Sequence, residues 1–167
     1  MILIHHADHG IPLEVIGWAL ASIQAEGFFL KTLEIASYLP DLQSALYGPS
    51  CGDPPVSEDE AFYQQRSPDR PISRMVRRPL RSTRWLTIIG EMGSKDVHVY
   101  TAYGGPAAMR EPGDPSLSSD EQGFLEAAAF WKEHAIAIPE LKESVGYPKV
   151  VADPHQVPDR IRKIVDI

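Results

Sequence analysis

The sequence predicts an α+β fold with N-terminal helices, a mainly antiparallel sheet in the middle and a late amphipathic helix. Three observations carry this. Leu13, Ile16, Leu20 and Ile23 recur at helical spacing. The β-branched and aromatic runs from Trp85 to Ile89 and from Val97 to Tyr103 flank a turn-forming Gly-Glu-Met-Gly-Ser-Lys-Asp, the pattern of a hairpin. Phe124, Ala128, Trp131, Ala135 and Ile138 repeat at alternating steps of four and three behind Ser118-x-x-Glu121, a capping-box pattern.

In chain order, residues 2 to 4 form a short candidate strand. A helix is expected from about 12 to 26, with Pro12 in its first turn and Gly27 as its C-cap. The run FFLKTLEIASYL reads as strand or helix, since its period does not decide, and Pro40 ends it. Asp41 to Tyr47 reads as a short helix with an Asp cap, stopped by Gly48-Pro49, and residues 48 to 58 as a loop. Arg74 to Leu80 is a candidate strand ending at Pro79. On the returning strand of the hairpin, Val97, Val99, Thr101 and Tyr103 share one face, and His98, Tyr100 and Ala102 the other. The late helix closes at Pro139. Pro148, Pro154 and Pro158 make residues 139 to 167 an extended tail on a single domain spanning 1 to 167.

The 167 residues are 43% hydrophobic, enough for a core and outside the range of disordered chains. Cys51 is the only cysteine, so no intrachain disulfide is available, and its loop holds no local base that would make it a nucleophile. No run approaches about 18 consecutive apolar residues and the N-terminus carries no signal-peptide pattern, so a cytoplasmic protein without membrane association is expected. The net charge is −7, yet its distribution is uneven. Residues 66 to 85 hold seven of the ten arginines against one Asp, while the rest holds nine Lys or Arg against twenty-two Asp or Glu. Such a block keeps anionic ligands in play.

His5, His6 and His9 with Asp8 contain an i, i+4 pair. Gly10 and Pro12 start the helix after them, and zinc needs a third protein ligand, so neither a metal nor another cofactor is expected. His9, just ahead of a helix, is the candidate general acid or base. Arg74, Arg78 and Arg81, with Thr83 beside them, are the candidate phosphate cradle, and Thr101 and Tyr103 the candidate hydroxyl donors. Trp85, Tyr100 and Tyr103 offer base-stacking faces. The bland reading of the arginines is a set of stems over apolar surface and pairs with neighbouring acids.

The segments HHADHGIP, SRMVRRPLRSTRWLTII and VYTAY, in this order and over about half the chain, resemble the barnase, EndoU, colicin and RelE-type ribonuclease superfamily. The resemblance implies metal-independent RNA cleavage, with a ribose 2′-hydroxyl attacking the adjacent phosphorus. His9 would move the proton, Arg81 and Arg74 clamp the phosphate, and Thr101 or Tyr103 donate a hydroxyl. The acidic balance departs from the family's toxins. Two other readings stand beside it. One is a noncatalytic module whose Arg face takes an acidic protein or a small anion, and the other is an interaction protein whose tail, residues 139 to 167, completes a partner's surface or a homodimer.

Overall fold

The computed structural model describes residues 2–4, 11–35, 42–65 and 71–137; His5, His6, His9, Arg66, Arg70 and the tail from 139 to 167 lie outside them. The elements are β1 (Ile2–Ile4), α1 (Leu13–Ala21), β2 (Gly27–Glu34), β3 (Gln43–Ser44), β4 (Leu46–Tyr47), β5 (Ala61–Gln65), β6 (Ile72–Val76), β7 (Arg81–Ser82), β8 (Trp85–Met92), β9 (Val97–Gly104), α2 (Glu121–Glu133) and β10 (Ala135–Ala137). This is an α+β fold with antiparallel and mixed sheets. The chain divides into two compact units, each assembled from two segments: Met1–Ala45 with Arg81–Ala107, and Leu46–Leu80 with Ala108–Ile167.

The first unit is a four-stranded sheet in the order β1-β9-β8-β2, with β1 parallel to β9 and the other pairings antiparallel. Ile16, Ala19 and Leu20 of α1, with Ile23 behind it, bury one face of this sheet against Phe29, Leu86, Ile88, Val99 and Ala102. Each large side chain removed from water this way contributes about 1.5–3 kcal/mol. Helix α1 starts where expected, the Pro12 carbonyl accepting the N–H groups of Val15 and Ile16. It stops at Ala21, short of residue 26. Ser22 turns both its backbone N–H and its hydroxyl onto the Ala19 carbonyl, and Gly27, at φ 73°, launches β2 in a conformation that costs glycine little. The undecided apolar run is thus largely a strand. A two-stranded ribbon, β3 with β7, completes this unit.

The second unit has the order β4-β10-β6-β5, with β10 parallel to β6 and antiparallel to β4. Residues 41 to 47, expected as a helix, supply β3 and β4. Their Asp and Gly signals are local, whereas Leu46 and Tyr47 find partners in Ile136 and Ala135, far along the chain. Helix α2 is capped by Asp120, whose carboxylate accepts the Gly123 N–H, and not by Ser118 of the capping-box pattern. It buries Phe124, Ala127, Ala128 and Trp131. The helical period runs on past it, but His134 takes an extended conformation (φ −117°, ψ 162°) and Ala135–Ala137 enters the sheet. Strand β6 spans Ile72–Val76 rather than 74 to 80, and all five of its residues are buried. Two of them, Ser73 and Arg74, are polar.

Candidate functional site

Arg74 belongs to the interior of the second unit. It is 1% exposed, and four of its five N–H groups are engaged. Nη1 donates to the carbonyls of Trp131, Lys132 and His134 at 3.0–3.2 Å, the carbonyls that a helix end leaves without partners. Nη2 donates to the Val56 carbonyl at 3.2 Å and to the Glu58 carboxylate at 2.8 Å. A cation at a helix C-terminus also meets the negative end of the helix dipole. The guanidinium has no face left for a phosphate, so the clamp role expected from the sequence gives way to a structural one: Arg74 caps α2.

Tyr63, opposite Arg74 in the β5–β6 pair, buries its hydroxyl without a hydrogen-bond partner among the described residues. Burial pushes its pKa above the ordinary tyrosine value; the Arg74 charge opposes this and the Glu58 charge adds to it. A folded-state pKa above the unfolded one gives stability that is complete below the unfolded pKa and lost as pH rises through the folded one. Wild-type stability should therefore fall above about pH 10, and Tyr63→Phe should flatten that limb in urea titrations run from pH 8 to 11.

The other arginines divide between the units. Arg78, in the second, lies 4.3 Å over the Tyr47 ring, donates to its hydroxyl and pairs with Glu60. Arg77 stands 5.4 Å over the Phe62 ring. Arg81 and Thr83 belong to the first unit. The Arg81 backbone pairs with Ser44 in the ribbon, and the Thr83 hydroxyl accepts the Trp85 N–H at 3.2 Å just ahead of β8. Arg84 faces Glu34 at 3.3 Å, both exposed.

Thr101 and Tyr103 owe their position to one extra residue. Along β8 and β9, Thr87 faces Tyr103, Ile88 faces Ala102 and Ile89 faces Thr101, but Gly90 faces Val99. Tyr100 is therefore a bulge residue, and the alternation of β9 changes phase there. Val97, Val99 and Ala102 pack on the helix side, while His98, Thr101 and Tyr103 point to the other face. The face assignment expected from strict alternation is corrected accordingly: Thr101 and Tyr103 lie with His98, not with Val99.

That second face is open. Across β2 and β8, Glu34 opposes Trp85, Thr32 opposes Thr87, Leu30 opposes Ile89 and Phe28 opposes Glu91. Phe28 is 64% exposed, Leu30 and Trp85 41% each, and Tyr100 40%. Thr87 is the buried exception. Its hydroxyl donates to the Gly105 carbonyl at 2.8 Å and accepts from Thr32 at 2.9 Å. Tyr100 donates to Glu91 at 2.7 Å, and this bond holds the Tyr100 hydroxyl above the usual tyrosine pKa range. Phe28, Leu30, Glu91 and His98 escaped the sequence reading as site residues. The available signal was Gly90, a glycine inside a strand run, which often marks a bulge.

Among the described residues no group of three His, Cys, Asp or Glu side chains could hold a metal, and no helix is long and apolar enough to cross a membrane. His9 lies outside the described residues. Comparison with protein-family models, with curated proteins and with solved structures finds no match to this chain.

Proposed function

We propose that this protein binds single-stranded RNA on the open face of the first unit's sheet. The observation that carries the reading is the bulge at Tyr100, which joins Thr101, Tyr103 and His98 to Trp85, Phe28 and Leu30 on one solvent-facing surface. Aromatic rings exposed on a sheet are stacking partners for unpaired bases, each stacked base worth about 1–3 kcal/mol. At the Trp85 end of this face stands Arg84, paired with the exposed Glu34, and Arg81 precedes it by three residues in the chain. Lys31, mid-strand on the other side of β2, is a charge of the kind that discourages sheets from joining edge to edge, so recognition falls to the face.

Affinity should come from stacking more than from charge. With Arg81 and Arg84 as the phosphate contacts, the logarithm of the binding constant should fall with the logarithm of salt at a slope of about −1.4. Fluorescence anisotropy of labelled short RNAs tests both parts. Trp85→Ala should weaken binding about tenfold while leaving the circular dichroism spectrum unchanged. Absence of binding to any single-stranded RNA at low salt would discard the reading and favour a protein partner for the same apolar face. Cleavage of the bound strand, which the resemblance implies, would use His9 as proton carrier, Arg81 as clamp and Thr101 or Tyr103 as hydroxyl donor. Denaturing gels of the same mixtures read it directly. Products that vanish in Arg81→Ala would mark a ribonuclease, and binding without products a noncatalytic module.

A further inference from the structure

We infer that the open face holds four nucleotides of an extended single strand, their bases splayed apart and set one each on the rings of Trp85, Tyr103, Tyr100 and Phe28. The inference rests on the RNA-binding reading. Strand register sets the spacing of the rings. Along β8 from Trp85, Tyr103 stands opposite Thr87, Tyr100 falls at the bulge between the levels of Ile89 and Gly90, and Phe28 stands opposite Glu91. At about 3.4 Å per residue, these levels lie about 7, 15 and 20 Å from that of Trp85. Tyr100 leans from β9 toward β8, its hydroxyl reaching Glu91 beside Phe28. With neighbouring strands about 4.8 Å apart, each ring then lies about 7–8 Å from the next.

That interval decides how a strand can lie. Nucleotides stacked on one another advance about 3.4 Å each, and splayed ones advance roughly twice as far. A self-stacked strand would bring only every second base to a ring and would need about seven nucleotides to run from Trp85 to Phe28. A splayed strand gives each base a ring of its own and needs four. Phe28, Trp85 and Tyr100 are exposed and Tyr103 is half-buried, so each base exchanges a neighbouring base for a side-chain ring. The bulge makes this row possible, because strict alternation would put Tyr103 with Val99 on the helix side. Trp85 and Phe28, at the ends, fix the length of the site; Tyr103 and Tyr100 add affinity without changing it.

The test measures anisotropy of labelled oligouridylates from two to eight nucleotides long. Affinity should rise about tenfold with each nucleotide up to four, the contribution of one stacked base, and by less than about threefold in all from four to eight. Phe28→Leu and Trp85→Leu, at exposed positions on opposite ends of the row, should each keep the circular dichroism spectrum and move the plateau from four nucleotides to three. A wild-type plateau at any other length, a rise that continues to eight, or a plateau that stays at four in either folded variant would overturn the four-ring site while leaving RNA binding intact. Failure of every length to bind would overturn the RNA reading with it.

Discussion

Arg74→Met is expected to destabilise the protein by about 3–5 kcal/mol, a large share of the 5–15 kcal/mol that typically holds a protein folded. The substitution preserves much of the side-chain volume, so little of the loss comes from a cavity. It comes from the carbonyls of Trp131, Lys132, His134 and Val56, which lose their donor inside the second unit. Glu58→Gln should cost less than about 1 kcal/mol, because that carboxylate is 52% exposed and water replaces its partner. Arg74→Lys should recover only part of the loss, since an ammonium cannot fork across helix end and loop together. Urea midpoints for the three variants separate the possibilities. If Glu58→Gln proves as damaging as Arg74→Met, the ion pair and not the cap is what matters.

Gly90→Ala is the substitution expected to change structure and binding together. A Cβ at this position falls against the His98 carbonyl oxygen and 2.8 Å from Cζ of Phe29, so strand β9 and a core ring must both yield. Overpacking of this kind costs roughly 1–3 kcal/mol. The cheapest relief moves the bulge along the strand, and a one-residue change of phase turns side chains from one face to the other. RNA binding should therefore drop along with the melting temperature, whereas Ser94→Ala in the adjoining exposed turn should leave both unchanged. Gly90→Ala with wild-type binding would show that the bulge does not set the face.

How much of this was legible beforehand follows from how local each signal is. The hairpin of β8 and β9 and the body of α2 were readable because their periods repeat within a dozen residues. Strands β4 and β10 were not, since each is two or three residues long and exists only through pairing with the other and with β6. Leu46 and Tyr47 sit between an Asp and a Gly that suggest a helix, and only Ala135 and Ile136 decide otherwise. The candidate site was half legible. Thr101, Tyr103 and Trp85 could be picked by type and order, but their common face depends on the single skipped residue at Tyr100. Arg74 misled for a different reason: an arginine in sequence signals a charge for solvent or ligand, and nothing local says that it will end inside, against the last turn of a helix.

The capping arginine also bears on the order in which the chain is made. Of the second unit, synthesis delivers β4, β5 and β6, then the segment that completes the other unit, and only then α2 and β10. Met75 pairs with Ile136 about sixty residues later, so at about 5–20 residues per second β6 waits several seconds on the ribosome for its neighbour. A strand reading Ile-Ser-Met-Val without a charge would be a ready seed for aggregation during that wait. With Arg74 at its centre, the nascent strand stays hydrated until the carbonyls of α2 arrive to take the guanidinium from water. The same side chain thus guards the strand before folding and locks it afterwards.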